Sequence, residues 1–299
     1  MIVCLGEALV DLICERRVGS IAEADSFRPH FGGALANVAV AASRAGAEVG
    51  LAGAAGRDEW GSWLRGRLER EGVDLRFFEL LAGEQTPVAF ATFDERGDAS
   101  FQIYGDAVAA AVASVAPRIE QAVGAATALV FGSTTLATDA ERTATLHTRE
   151  LALERGVRVC FDPNIRPNRW GGDPRPAAEA SRELLAGSYL VRANREEATA
   201  IAGVDDPRRA AEELAALGAE LAIVTLGAEG VILRGACEAE LPAAEVEVVS
   251  TLGAGDAFMG TLLAGLAARD WDASRAGEAL GPALDAAAEA CTRWGALEQ

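Results

Sequence analysis

The chain has 299 residues, half of them hydrophobic and only 6% aromatic, enough to bury the core of one large α/β domain with a small appendage. A formal net charge of −18 excludes nucleic acid and anionic membranes as partners, and it means that any phosphate site is built locally from backbone N–H groups and a few cations. With only His30 and His147, and five widely spaced cysteines lacking a Cys-x-x-Cys pair, a zinc centre and a Ser-His-Asp hydrolase are excluded, and free thiols in a reducing, cytoplasmic compartment are expected.

In chain order, Ile2–Leu5 reads as a short buried strand that stops at Gly6-Glu7. Glu7 and Asp11 interrupt the apolar stretch, and no basic segment precedes it, so the start is not a signal peptide. No later apolar run reaches the length of a membrane span. A long apolar helix is predicted from Ala34 to Ala45, and an exposed amphipathic one from Asp58 to Glu71. Val88–Phe93 and Ser100–Tyr104 flank the turn-rich Asp94-Glu-Arg-Gly97 and form a β-hairpin.

Beyond residue 126 strands and helices alternate. The expected strands are Ala128–Phe131, Val157–Phe161, Tyr189–Val191 and Leu221–Thr225; the helices between them are Ala140–Arg155, Pro174–Ala186 and Pro207–Leu217. This is the pattern of βαβ units and a parallel sheet. A meander Leu221–Thr225, Gly230–Leu233 and Glu245–Val249 follows, and helices Gly255–Ala268 and Pro282–Arg293 close the chain. Ligands of such sheets lie beyond the carboxyl ends of the strands. Glu7, Asp11, Asp162, Asn164, Asn194, Glu197 and Thr225 all fall at such ends, which implies one composite site.

Two segments carry chemistry on their residues alone. In Ser250-Thr-Leu-Gly253-Ala254-Gly255-Asp256, small residues let the backbone turn tightly and present N–H groups at a helix N-terminus, where phosphate oxygens bind. Asp256 then lies where a hydroxyl nucleophile needs a base, with the helix end favouring its ionised form; an ordinary helix cap accounts for the same residues. In Gly32-Gly33-Ala-Leu-Ala-Asn37, the glycines admit a ligand close to the backbone, and Asn37 can bridge two vicinal hydroxyls. A turn followed by a helix with a partly buried Asn fits equally.

Taken together, the motifs resemble the PfkB or ribokinase-like family of sugar kinases. The early Gly32-Gly33-(x)3-Asn37 segment, ending near Gly56-Arg-Asp58-Glu-Trp-Gly61, and the late Gly253-Ala-Gly-Asp256 segment occur in the family's order. Between them lie Asn194-Arg-Glu-Glu197, similar to the family's NxxE, and Thr225-Leu-Gly227-Ala-Glu-Gly230, similar to its TxGxxG. The resemblance spans essentially the whole chain. It implies a three-layer α/β ribokinase-like fold for residues 1–299, with a central, mostly parallel sheet and a small β lid from about 8–31 and 86–105. It further implies that Asp11, Gly32, Gly33 and Asn37 bind sugar hydroxyls and that Asn194 and Glu197 position Mg²⁺, mostly through water, near ATP. Thr225, Gly227 and Gly230 would border the nucleotide, Gly253, Ala254 and Gly255 would form the anion hole, and Asp256 would be the base. For Asn194 and Glu197, a helix cap and a solvated acid remain the alternative.

Phe161-Asp-Pro-Asn164-Ile-Arg166 is similar to the DPNxR stretch of fructokinases and 2-keto-3-deoxygluconate kinases, which implies that Asn164 and Arg166 lie near the substrate or the transferring phosphoryl. A structural ion pair is the alternative for Arg166. Tyr104 and Gln102 on the lid hairpin could add sugar contacts, Gln102 facing solvent equally well. Ser250 stands where the family usually has an Asp beside a monovalent cation, so K⁺ activation is in doubt; the last helix lacks the family's frequent Asn near adenine. The expectation is transfer of the ATP γ-phosphoryl to a small sugar, with fructose first, 2-keto-3-deoxygluconate second, ribose or a nucleoside third, and a homodimer through the lid. A catalytically silent sugar- or nucleotide-binding protein is the alternative from another class. A nucleotide-binding oxidoreductase is disfavoured, because no Gly-x-Gly-x-x-Gly follows the first strand.

Overall fold

The structure, a computed structural model, describes residues 1–95, 99–104 and 107–297. The predicted turn Asp94–Gly97 and the predicted lid limit at 105 extend outside the described residues. Among them, two sheets form. The larger contains β1 (Ile2–Leu5), β4 (Val49–Gly56), β5 (Phe78–Leu81), β8 (Ala128–Gly132), β9 (Arg158–Asp162), β10 (Leu190–Asn194), β11 (Leu221–Thr225), β12 (Val231–Gly235) and β13 (Ala239–Leu241). The smaller contains β2 (Leu9–Arg17), β3 (Arg28–Gly32), β6 (Val88–Phe93) and β7 (Ala99–Tyr104).

The large sheet runs β13-β12-β11-β10-β9-β8-β1-β4-β5, parallel from β11 through β5. Its central strands are continuous buried apolar runs, as a sheet covered on both faces requires. Alternate residues feed opposite layers. Ile2, Cys4, Val130 and Ile223 join the core beneath helices Ala34–Arg44, Ala254–Ala267 and Leu280–Cys291. Val3, Leu5, Phe131 and Val224 join the core beneath helices Asp139–Glu154, Arg195–Ala202 and Pro207–Ala216. This is the three-layer arrangement. Chain order reverses between β1 and β8, which opens a crevice beyond their carboxyl ends.

The small sheet has the order β3-β2-β6-β7. Its Ile13, Ala91 and Phe93 pack on Leu252, with Trp294 against Phe93, so the sheet rests on the segment that leads into helix Ala254–Ala267.

Most predicted elements recur within a residue or two. The third meander strand is a correction: it is β13 at Ala239–Leu241, paired with β12, and residues 242–248 are irregular. Pro242 follows β13 directly and has no N–H to continue the ladder. The helix expected over Pro174–Ala186 is Arg175–Glu183. Strand β4, Val-Gly-Leu-Ala-Gly-Ala-Ala-Gly, carries few β-branched residues and escaped prediction; its pairing with β1 and β5 makes it a strand.

Candidate active site

The chain leaves β1 at Leu5 and brings Glu7 beneath the start of helix Ala34–Arg44. Gly33 caps that helix with φ +100°, and a Cβ there would fall 2.5 Å from the Glu7 carbonyl oxygen. A Cβ on Gly32 would lie 2.3 Å from Asp11 Oδ2, so the carboxylate of β2 sits directly on this glycine. Asn37, on the first turn, donates from Nδ2 to Asp256 Oδ2 at 2.8 Å. The early and late motifs, 219 residues apart, are thereby joined by one buried hydrogen bond. Glu7, Asp11, Asn37 and Asp256 line one cavity under the small sheet, with Thr134, Phe101 and Arg166.

A second cavity of about 500 Å³ adjoins it. Asn164, Asn194, Thr225, Gly227 and the turn Gly253-Ala254-Gly255 line it. Gly253 has φ +81°, and the helix begins at Ala254. The turn therefore aims free helix-end N–H groups into the cavity. Arg166 and Asp256 line both cavities, together with Phe101 and Leu252.

Asp256 is buried, and burial pushes its pKa above the ordinary carboxylate value; the Asn37 hydrogen bond and the charges of Arg166 and Arg192 oppose this. Desolvation outweighs the helix end, which corrects the expectation that this position favours the ionised form of Asp256. Burial, reinforced by the charge of Asp256, pushes Asp11 up to about 8, and burial pushes Glu7 up to about 7.

Asn194 and Glu197 form a reciprocal cap on helix Arg195–Ala202. Asn194 Oδ1 accepts from the Glu197 N–H at 2.9 Å, and Glu197 Oε2 accepts from the Asn194 N–H at 3.0 Å. Glu197 Oε1 accepts from the Ile165 N–H at 2.7 Å and so ties the Asn164-Ile-Arg166 loop to the helix. It is the neighbouring Glu196 that lines the second cavity. Gly230 has φ +101° against the Leu241 carbonyl and shapes the turn without lining the cavity.

Tyr104 is the residue the sequence misplaced. Strand β7 alternates, so Phe101 and Ile103 face the cavity, whereas Gln102 and Tyr104 face away. The Tyr104 ring packs edge-on against Phe90 and is 48% exposed. Among the described residues Arg166 forms no ion pair; its guanidinium lies 5.5 Å over the Phe101 ring.

Arg192 was missed. It is buried in β10, pairs with Asp162 at 3.2 Å and donates to Thr225 Oγ1 at 2.7 Å. A Cβ on Gly255 would lie 2.7 Å from its Nη1. The sequence signal is an arginine inside the apolar run Leu-Val-Arg-Ala, where an unpartnered charge is not tolerated. Ser250 is fully buried, and its Oγ accepts from the Leu252 N–H at 3.1 Å.

The model of the pfkB family of carbohydrate kinases matches residues 1–298. The chain is 34% identical over 296 residues to aminoimidazole riboside kinase of Salmonella typhimurium, covering 98% of this chain and 89% of that protein. It is 32% identical over 273 residues to fructokinase-1 of Oryza sativa subsp. japonica, covering 88% and 82%. A crystal structure of a fructokinase double mutant from Vibrio cholerae, in a form bound to fructose, ADP and potassium ion, superimposes with a TM-score of 0.83 at 28% identity over 99% of this chain and 93% of that one. Glycine turn, buried aspartate, fold and family match agree over the full length, and the chain belongs to the pfkB family of carbohydrate kinases.

Proposed function

We propose that this kinase transfers the γ-phosphoryl of ATP to a primary hydroxyl of fructose, with Asp256 as the base. The supporting observation is that Asp256 and Arg166 line both cavities, so a hydroxyl in one and a phosphate in the other meet at these two side chains. Asn37 fixes Asp256 Oδ2, leaving Oδ1 for the acceptor hydroxyl. Asp256 orients the alcohol and accepts its proton late, because the transition state of phosphoryl transfer is loose. The turn Gly253-Ala254-Gly255 and Arg166 receive phosphoryl oxygens. Asp11, Gly32, Gly33 and Asn37 bind the sugar. The second cavity takes the nucleotide along Thr225 and Gly227.

Asn194, which lines the second cavity, and Glu197, which caps the same helix, would hold Mg²⁺ through water beside ATP. Each Glu197 oxygen accepts one N–H and would keep a lone pair for such a water; the ion would supply charge neutralisation to the phosphates. The small sheet acts as a lid that excludes water from the reaction. Its outer aromatic edge, Phe27, Phe90 and Tyr104, makes the contact of a homodimer, which light scattering of the purified protein tests. No helix among the described residues is long and apolar enough to cross a membrane; the cytoplasm is the proposed compartment.

The deciding experiment is ADP release with fructose, 2-keto-3-deoxygluconate, ribose and nucleosides. Fructose is expected to give the highest kcat/KM; turnover of a riboside alone would favour the third expectation, a ribose or nucleoside kinase, which the 34% identity to a riboside kinase supports. ADP release with none of these acceptors would leave a silent binding protein.

A further inference from the structure

The sugar cavity contains unpartnered polar atoms that the motifs do not name. Glu7 Oε2 and Thr134 Oγ1 are buried without a hydrogen-bond partner, and both residues line this cavity. Asn37 Oδ1, the other end of the amide that holds Asp256, is buried and unpartnered as well. A buried polar atom without a partner among the described residues is unfavourable, so each of these atoms favours a polar group of an entering ligand.

Thr134 is held in place by its neighbours. It sits in the turn Ser133–Leu136 that follows β8. The Ser133 N–H donates to the Pro163 carbonyl at 2.9 Å, Thr135 Oγ1 donates to the Gly132 carbonyl at 2.9 Å, and Thr145 Oγ1 donates to the Thr135 carbonyl at 2.8 Å. The turn is pinned on three sides, and the Thr134 hydroxyl is left pointing at the cavity. Glu7, two residues beyond the end of β1, lines the same cavity. Behind Glu7, Arg169 is committed to Glu141 at 2.6 Å.

The charge of the wall is also lopsided. Glu7, Asp11 and Asp256 are its acids, and among the described lining residues Arg166 is its cation. Arg166 serves the neighbouring cavity too and faces Asp162 as well as these three acids. With ATP bound, the phosphates add further negative charge beside it. A substrate carboxylate here would bring its charge into a dry wall where burial already disfavours the ionised form of all three carboxyls, with one shared guanidinium to answer it, and each ionised pair would repel strongly. Hydroxyl groups instead satisfy every unpartnered atom, donating to Glu7 and Asn37 and to the Thr134 oxygen. Burial already holds Glu7 near the middle of its titration at neutral pH.

We infer that Glu7 and Thr134 form a second hydroxyl-binding wall of the sugar site, which selects an uncharged polyol and rejects a sugar acid. This rests on the sugar-kinase reading above and narrows it, since an uncharged ketose and an uncharged riboside both satisfy it while 2-keto-3-deoxygluconate does not.

The test compares initial rates at saturating ATP for fructose, an uncharged riboside and 2-keto-3-deoxygluconate, in the wild type and in Glu7→Gln, Glu7→Asp and Thr134→Val. The wild type is expected to favour its best uncharged sugar over the acid by about tenfold or more in kcat/KM. Glu7→Gln and Thr134→Val are each expected to raise KM for that sugar about tenfold, through one lost or mismatched hydrogen bond, with KM for ATP unchanged. Glu7→Gln should also narrow the preference over the acid, because an ionisable carboxyl is gone. Thr134→Val should not, because none is. Glu7→Asp, which keeps the charge and shortens the reach, should weaken sugar binding yet keep the acid out. Equal use of acid and uncharged sugar by the wild type overturns the inference while leaving the kinase reading intact. So does an unchanged sugar KM in the folded variants, checked by thermal melting. Failure of the wild type to phosphorylate any acceptor in the panel removes the kinase reading itself, and this inference with it.

Discussion

Asp256 reaches its position through a helix end, a glycine turn and one partner, Asn37, from the far end of the chain. Asp256→Asn keeps the shape and removes the base. It is expected to lower kcat by about 10²–10⁴-fold while ATP affinity, measured by calorimetry, stays near normal; a variant with near-normal kcat would take Asp256 out of this role. Arg192 makes a different kind of demand. It is ion-paired to Asp162 in the buried floor of the second cavity, and it braces Thr225. Removing it strands a buried carboxylate. Arg192→Met should therefore destabilise the protein by about 3–5 kcal/mol in urea unfolding, and adding Asp162→Leu should recover most of that loss. If the single variant is as stable as the wild type, the pair contributes nothing to the floor.

At the scale of the element, the turn before helix Ala254–Ala267 carries the proposed phosphate site. It is fastened at its start by Ser250, whose Oγ accepts the Leu252 N–H, and whose own N–H, like that of Val249, points to the Cys291 carbonyl. A neutral hydroxyl occupied in this way offers a monovalent cation much less than a carboxylate does. The turn is ordered by hydrogen bonds and by Leu252 packing into the small sheet. Activity should accordingly depend weakly on K⁺. Rates in tetramethylammonium buffer, with KCl exchanged in at constant ionic strength, should rise by less than about tenfold, or about 1.4 kcal/mol of barrier. A larger rise, specific to K⁺ over Na⁺, would mean that backbone carbonyls alone hold the ion.

At the scale of the whole molecule, folding gathers buried carboxylates under the small sheet, and stability carries their signature. Asp11 rises from 3.8 to about 8 and Glu7 from 4.5 to about 7, both mainly through burial. Asp256 raises Asp11 further, and Arg166 opposes both shifts. A carboxyl whose pKa is higher when folded binds more protons in the native state between the two values, so its contribution falls as pH rises through that window. The ligand-free protein should lose thermal stability between about pH 5 and pH 8 on this account. Asp11→Asn should flatten the decline, since an amide does not titrate. A melting temperature that rises across this range in the wild type, with the same slope in the variant, would contradict it. The same burial prepares the site for substrate, because hydroxyl donors relieve the unpartnered oxygens that protons otherwise satisfy.

The alternation of apolar runs and helical periods by itself determined βαβ units around a parallel sheet, because buried parallel strands and amphipathic helices write their periods directly into the residues. The glycine-containing turns, Gly32-Gly33 and Gly253-Ala-Gly255, were equally legible, since backbone at positive φ or pressed against a neighbour admits little else. Contacts between distant segments were not. Only the tertiary structure joined Asn37 to Asp256, put Arg192 beneath Gly255, and turned Glu7 and Thr134 toward one cavity. Which face of β7 looks inward depends on its pairing with β6, where Phe90 lies opposite Gln102; Phe101 and Ile103 thus line the site and Tyr104 does not. Strand β4 became a strand through its neighbours rather than its composition. Local periodicity is set by neighbours along the chain, whereas a site assembled at strand ends is set by register and packing between residues hundreds of positions apart, which no local pattern encodes.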